Sequence, residues 1–127
     1  MMGARIAKTV VDDWIDGNTE LRCVIVADGF GTSEGYVAVG PDHPWYEQCH
    51  NCDLYRHRNC QCHSIRSVIK IQGELNYSAH FVGGLEARDD EWWFGFTNPA
   101  GDNESVRSEC GELALQLMLA GFAWNTI

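Results

Sequence analysis

A chain of 127 residues fits one domain spanning 1–127, and domains of this size bury roughly two-thirds of their unfolded surface, enough for an independent core. Hydrophobic residues at 45% and charged residues at 21% are ordinary globular usage, which excludes a chain disordered over most of its length. The net charge of −9 repels nucleic acid and favours cationic partners, including the basic clefts of nucleic-acid-binding proteins.

The first residues, MMGARIAKTVVDD, hold two cations but no apolar run of signal-peptide length, so a location inside the cell is expected. Glu20 to Ala27 is rich in β-branched side chains and stops at Asp28-Gly29, which reads as a strand and a turn. A second run, Tyr36 to Val39, ends at Gly40-Pro41, and the two are expected to pair as an antiparallel hairpin. Pro41 and Pro44 interrupt regular structure, and residues 45–64 read as an irregular Cys/His-rich insertion. Ile65 to Tyr77 resumes strand character, with Gly73 marking either a bulge or a close backbone approach.

Gly83-Gly84 and the acidic Glu86, Asp89, Asp90 and Glu91 predict a loop. Trp92, Phe94 and Phe96 then alternate with Trp93, Gly95 and Thr97 in the most aromatic strand of the chain. The first set is expected to be core and Trp93 to lie on the opposite face, and Asn98-Pro99 ends the strand. From about Glu104 the period turns helical, with Val106, Cys110, Leu113, Leu117 and Met118 on one stripe and Gly121 as the expected stop. Leu115, Leu119 and Phe122 add apolar residues on the other side, indicating self-association through the helix or, preferred, deep burial. The longest apolar stretch, 113–124, includes Gln116 and is short of the ~20 residues that span a bilayer. The expected fold is therefore α+β, a small antiparallel sheet of about four strands packed by a C-terminal helix.

Within CHNCDLYRHRNCQCH, the residues Cys49, Cys52, Cys60 and Cys62 form C-x2-C followed by C-x-C, with His50, His57 and His63 interleaved. Four thiolates at this spacing can close a tetrahedron around one structural Zn2+ ion. Disulfides or unligated thiols are the alternatives, the first weakened by the reducing interior of a cell. Cys23 and Cys110 fall on apolar positions and read as core. His43 and His80 read as structural, with acid-base work as the rival role. No HExxH, nucleophile elbow, phosphate loop or paired-carboxylate pattern accompanies them, so the chain reads as a binder rather than an enzyme, a metal hydrolase being the catalytic alternative.

The stretches GYVAVGPDHPWY (35–46), IQGELNYSAH (71–80), EWWFGFTNPAGD (91–102) and VRSECGELALQL (106–117) together resemble a family of small, mostly uncharacterised proteins of phages, prophages and some bacteria. Its members carry GYV-x-V-x-x-x-HP-x-YG, VHGGLTYS, WWFGFD-x-AHAGD and a C-terminal helix, and the resemblance covers roughly residues 20–120. Gln72 stands where the family usually has His, Glu74 replaces a Gly, and TNPAGD lacks the histidine of AHAGD. An activity that relies on those imidazoles is not carried over, and the resemblance implies origin more than activity.

It implies a phage or prophage accessory protein, cytoplasmic in a bacterial host, that binds and neutralises a component of host defence. In one version Trp45, Tyr46, Trp92 and Trp93 offer rings to a base while Arg56, Arg58 or Arg66 meets phosphate, so a nucleotide immune signal is sequestered. In the other, the acidic surface occupies the basic groove of a nucleic-acid-guided defence complex. A zinc-stabilised interaction module without a defence role is the third reading.

Overall fold

In the computed structural model the described residues are 8–27, 29, 32–49, 65, 68–98 and 102–125, with the side chains of the last helix described through Phe122. Five strands, β1 (Thr9–Ile15), β2 (Arg22–Ala27), β3 (Ser33–Val39), β4 (Glu74–Ala79) and β5 (Trp92–Thr97), precede one long helix, α1 (Asn103–Asn125). All neighbours in the sheet are antiparallel, in the order β1-β2-β3-β5-β4. The α+β class and the β2–β3 hairpin are as the sequence predicts.

The side-chain alternation of each strand sorts residues onto two faces, and both are buried. Towards α1 lie Cys23, Ile25, Val37, Phe94 and Phe96, packed on Val106, Cys110, Leu113 and Leu117. On the other face Val24, Val26, Tyr36, Ala38 and Trp93 form a second cluster, closed by Val82. Among the described residues no helix covers this second face. The connection 80–91 does, turning at Val82 to Leu85 and bringing Gly84 (φ 94°) against the Val10 side chain and the Lys8 carbonyl.

Contact between β3 and β5 depends on two reciprocal glycine–aromatic pairs. Gly35 lies opposite Phe96 on the helix side and Gly95 lies opposite Tyr36 on the other side. A Cβ at Gly35 would collide with the Phe96 ring and the Cys110 sulfur, and one at Gly95 with the Tyr36 ring. Each glycine leaves the space that the ring of its cross-strand partner fills.

Four expectations need correction. The sheet has five strands rather than about four, because TVVDDWI is a strand despite its two carboxylates. Successive residues of a strand face opposite ways, and here each aspartate meets an arginine on its own side: Asp12 bonds Arg107 of α1, and Asp13 bonds Arg22 of β2 at 2.6 Å. Second, the strand expected over 65–77 begins at Glu74. Ile65 is helical and its carbonyl accepts the Ile69 N–H at 3.0 Å, so the two buried isoleucines are spaced as on a helical turn. Third, α1 runs through Gly121 to Asn125. Fourth, Leu115, Leu119 and Phe122 are exposed, not deeply buried.

No helix among the described residues is long and apolar enough to cross a membrane. Since Trp93 is as buried as Phe94 and Phe96, alanine at any of the three should cost about 3–5 kcal/mol. Trp92, only partly buried, should cost less. Urea denaturation of the four variants measures this, and a Trp93→Ala cost well below those of the two phenylalanines would show that its face is not core.

Candidate functional site

The residues just before β4, those just after β5 and the first turns of α1 come together where β4 begins, β5 ends and α1 starts. They form an open cavity of about 630 Å³ lined in part by Gln72, Asp102, Glu104, Ser105 and Glu112. At its base is Glu109, only 3% exposed. One carboxyl oxygen accepts the backbone N–H of Gly73 and the other accepts the side-chain amide of Asn98. Gly73 is required there, because a Cβ would strike the Thr97 carbonyl oxygen; this is the close approach rather than a bulge. The ladder irregularity falls between Leu75 and Tyr77 instead.

Asp102 caps the helix. Its Oδ1 accepts the Ser105 N–H at 2.8 Å, and these bonds hold its carboxyl below the usual range. The cavity therefore presents Asp102, Glu104 and Glu112 at its wall, with no Lys or Arg among the described residues that line it. Glu109 was not singled out from the sequence. The available signal was its position three residues after Val106 and four before Leu113, which puts a carboxyl on the buried stripe of the helix.

A second polar cluster joins 43–49 to the ends of the 80–91 connection. His43 accepts the Trp45 N–H at Nδ1 (3.0 Å), which makes Nε2 the protonated nitrogen donating to the Leu117 carbonyl at 2.7 Å. Burial lowers its pKa, so it is neutral and structural. His80 contacts the Glu91 carbonyl through Nδ1 at 2.9 Å and Glu47 through Nε2 at 2.8 Å, and the Glu47 partner raises its pKa. The Tyr46 and Trp92 rings pack edge-on against the imidazole. Tyr46 donates to the Asp89 carbonyl, Trp92 Nε1 to the Gln48 carbonyl at 2.9 Å, and Glu47 holds a left-handed φ of 63°.

Of the rings proposed for stacking, Tyr46 and the partly buried Trp92 meet around His80, whereas Trp45 and Trp93 are buried on opposite sides of the sheet. Trp45 is 2% exposed in the core beside α1, and Trp93 is 2% exposed in the cluster on the opposite side of the sheet, with the Arg22 guanidinium 5.4 Å from its ring. Tyr46 is half-buried against His80. Arg56, Arg58, Arg66, Cys52, Cys60 and Cys62 lie outside the described residues, while Cys49 is buried. Among the described residues no group of three His, Cys, Asp or Glu side chains is arranged to hold a metal. Burial pushes the Cys23 thiol up to about 12 and raises that of Cys110, as suits small core residues. Comparison with protein-family models, curated proteins and solved structures returns no match.

Because the folded-state pKa of His80 is raised above the ordinary 6.5, its pairing with Glu47 stabilises the fold fully below that value. The contribution fades as pH rises through the raised one. The thermal midpoint of wild type should therefore approach that of His80→Gln as pH is increased from 5 towards 9 (range set by ordinary histidine titration, about 6.5). A constant gap across that range would show that the imidazolium contributes nothing.

Proposed function

We propose that this chain is a non-enzymatic, acidic binding protein whose partner is a basic protein. On the motif resemblance, we propose further that it is a phage or prophage accessory protein acting on a nucleic-acid-guided component of host defence. The observation that carries the reading is the acidic cavity where β4 begins, β5 ends and α1 starts, walled by Asp102, Glu104 and Glu112. It is supported by the pairing of three of the described cations with carboxylates of the chain: Lys8 with Glu34, Arg22 with Asp13 and Glu91, and Arg107 with Asp12. Glu86, Asp89 and Asp90 add a second exposed acidic patch beyond the other end of β4 and β5. A surface of this sign steers association with a basic groove and repels phosphate.

Two groups that could serve in acid-base chemistry are given to the fold instead. Both nitrogens of His43 and both oxygens of Glu109 are committed to fold-holding bonds. Of the rings proposed for nucleotide sequestration, Trp45 and Trp93 are buried, which leaves the partly buried Tyr46 and Trp92 for that role. Zinc held by Cys49, Cys52, Cys60 and Cys62 belongs to the same proposal as a structural ion, with four sulfur ligands leaving no open position for a substrate.

Expression in a bacterium whose nucleic-acid-guided defence targets a test plasmid should raise plasmid survival. Glu104→Lys/Glu112→Lys should reduce that protection while leaving the thermal midpoint near wild type, since both side chains are exposed. Undiminished interference in the presence of the wild-type protein would remove the anti-defence reading. Heat on titration with cyclic nucleotides or ADP-ribose derivatives would move the assignment to sequestration.

Metal analysis of freshly purified, reduced protein should find about one equivalent of zinc. A content well below that eliminates the ion.

A further inference from the structure

The C-terminal half of α1 is apolar on a side the sheet does not cover. Leu115, Leu119 and Phe122, four and three residues apart, form one outward stripe and are 45%, 52% and 60% exposed. Phe122 also walls a cavity of about 530 Å³ between the helix, the β1–β2 turn and the segment after β3, where Leu21, Val39, Pro41 and Met118 supply apolar surface. Single apolar side chains on a surface are ordinary. Three in a row that continue into a concave groove of the size binding clefts have, roughly 300–1,000 Å³, mark an interaction site.

Charge decides the kind of occupant. Glu20 and Asp42 stand exposed among the described residues lining this groove, which include no Lys or Arg, and Glu112 is exposed one turn before Leu115 on the same stripe. A second copy of the chain would bring these carboxylates towards its own, on top of the repulsion between two bodies each carrying −9. A cationic segment with an apolar face meets both halves of the surface.

We propose that the groove and stripe dock a basic amphipathic segment of a partner protein. Its apolar side chains lie in the groove and along Leu115, Leu119 and Phe122, and its Lys or Arg side chains meet Glu20, Asp42 and Glu112. The proposal rests on the acidic-binder reading and adds where the partner docks and which chemistry it presents.

The test is fluorescence anisotropy of the full chain against two labelled peptides of equal positive charge. One carries Leu and Phe at helical spacing among lysines and the other is oligolysine. The amphipathic peptide should bind about tenfold or more tightly than oligolysine. Leu119→Ser and Phe122→Ser should each weaken it by about tenfold at an unchanged thermal midpoint, and Glu20→Lys/Asp42→Lys should weaken it further as salt dependence falls. Equal binding of both peptides, lost in Glu104→Lys but unchanged in Leu119→Ser, Phe122→Ser and Glu20→Lys/Asp42→Lys, overturns the groove proposal and leaves the acidic-binder reading standing. Failure of both peptides to bind overturns both. Sedimentation velocity revealing a concentration-dependent dimer that Leu119→Ser and Phe122→Ser abolish would give the stripe to a second copy and overturn the proposal.

Discussion

The pairing of β3 with β5 is the constraint on which the remaining structure depends. Gly35 faces Phe96 and Tyr36 faces Gly95, so each strand contributes one ring and one vacancy, on opposite sides of the sheet. On the helix side this arrangement lets Cys110 and hence α1 approach the backbone of β3 closely. On the other side it seats Tyr36 across β5, where Tyr77 of β4 packs edge-on with ring centroids 5.4 Å apart. A methyl group at either glycine would push a ring, and with it a layer, away from the sheet.

Once both faces of the central strands carry aromatic and β-branched residues, both must be covered, and among the described residues there is one long helix to do it. The 80–91 connection takes the second face. Arg22 secures it by bonding Asp13 with one side of its guanidinium and Glu91 with another, at 2.6 and 3.0 Å, while lying over Trp93. Arg107 does the corresponding work on the helix side, reaching Asp12 with its guanidinium 4.2 Å from the Trp14 ring. Edge strand β1 is thus tied to both layers by ion pairs, and its two adjacent aspartates are what make that possible.

Lys8, Arg22 and Arg107 are paired with carboxylates of the sheet, and carboxylates are exposed at three places among the described residues. The cavity over Glu109, the 86–91 loop and the rim of the groove beside α1 are separate places, and each exposes carboxylates. Glu109 has a different part: buried between Gly73 and Asn98, it fixes the cavity floor by joining the start of β4, the end of β5 and the helix. The two described histidines divide in a similar way. His43 is half-buried beneath the C-terminal half of α1 with its pKa lowered, while His80 has its pKa raised by its pairing with Glu47.

The sequence by itself determined what local periodicity controls. The hairpin of β2 and β3, the aromatic strand ending at Asn98, the loop at Gly83-Gly84, the long C-terminal helix and the core places of Cys23 and Cys110 all follow from alternation, turn residues and helical spacing. What depended on residues far apart in the chain was decided by the tertiary structure. TVVDDWI reads as polar until Arg107 and Arg22 arrive from elsewhere to neutralise its aspartates, and Ile65 and Ile69 read as strand until their places in the helix-side core call for a helical turn. Trp45 and Trp93 could have lined a pocket or filled a core, a choice that composition leaves open. Burial on opposite faces was settled by which layers the chain had available to cover the sheet. The cavity over Glu109 is the clearest case, since its walls come from three segments between residues 72 and 112 that meet only because β4 pairs beside β5 and α1 returns across them. Local sequence patterns carry information over a few residues, and such meetings are fixed by packing over the whole chain.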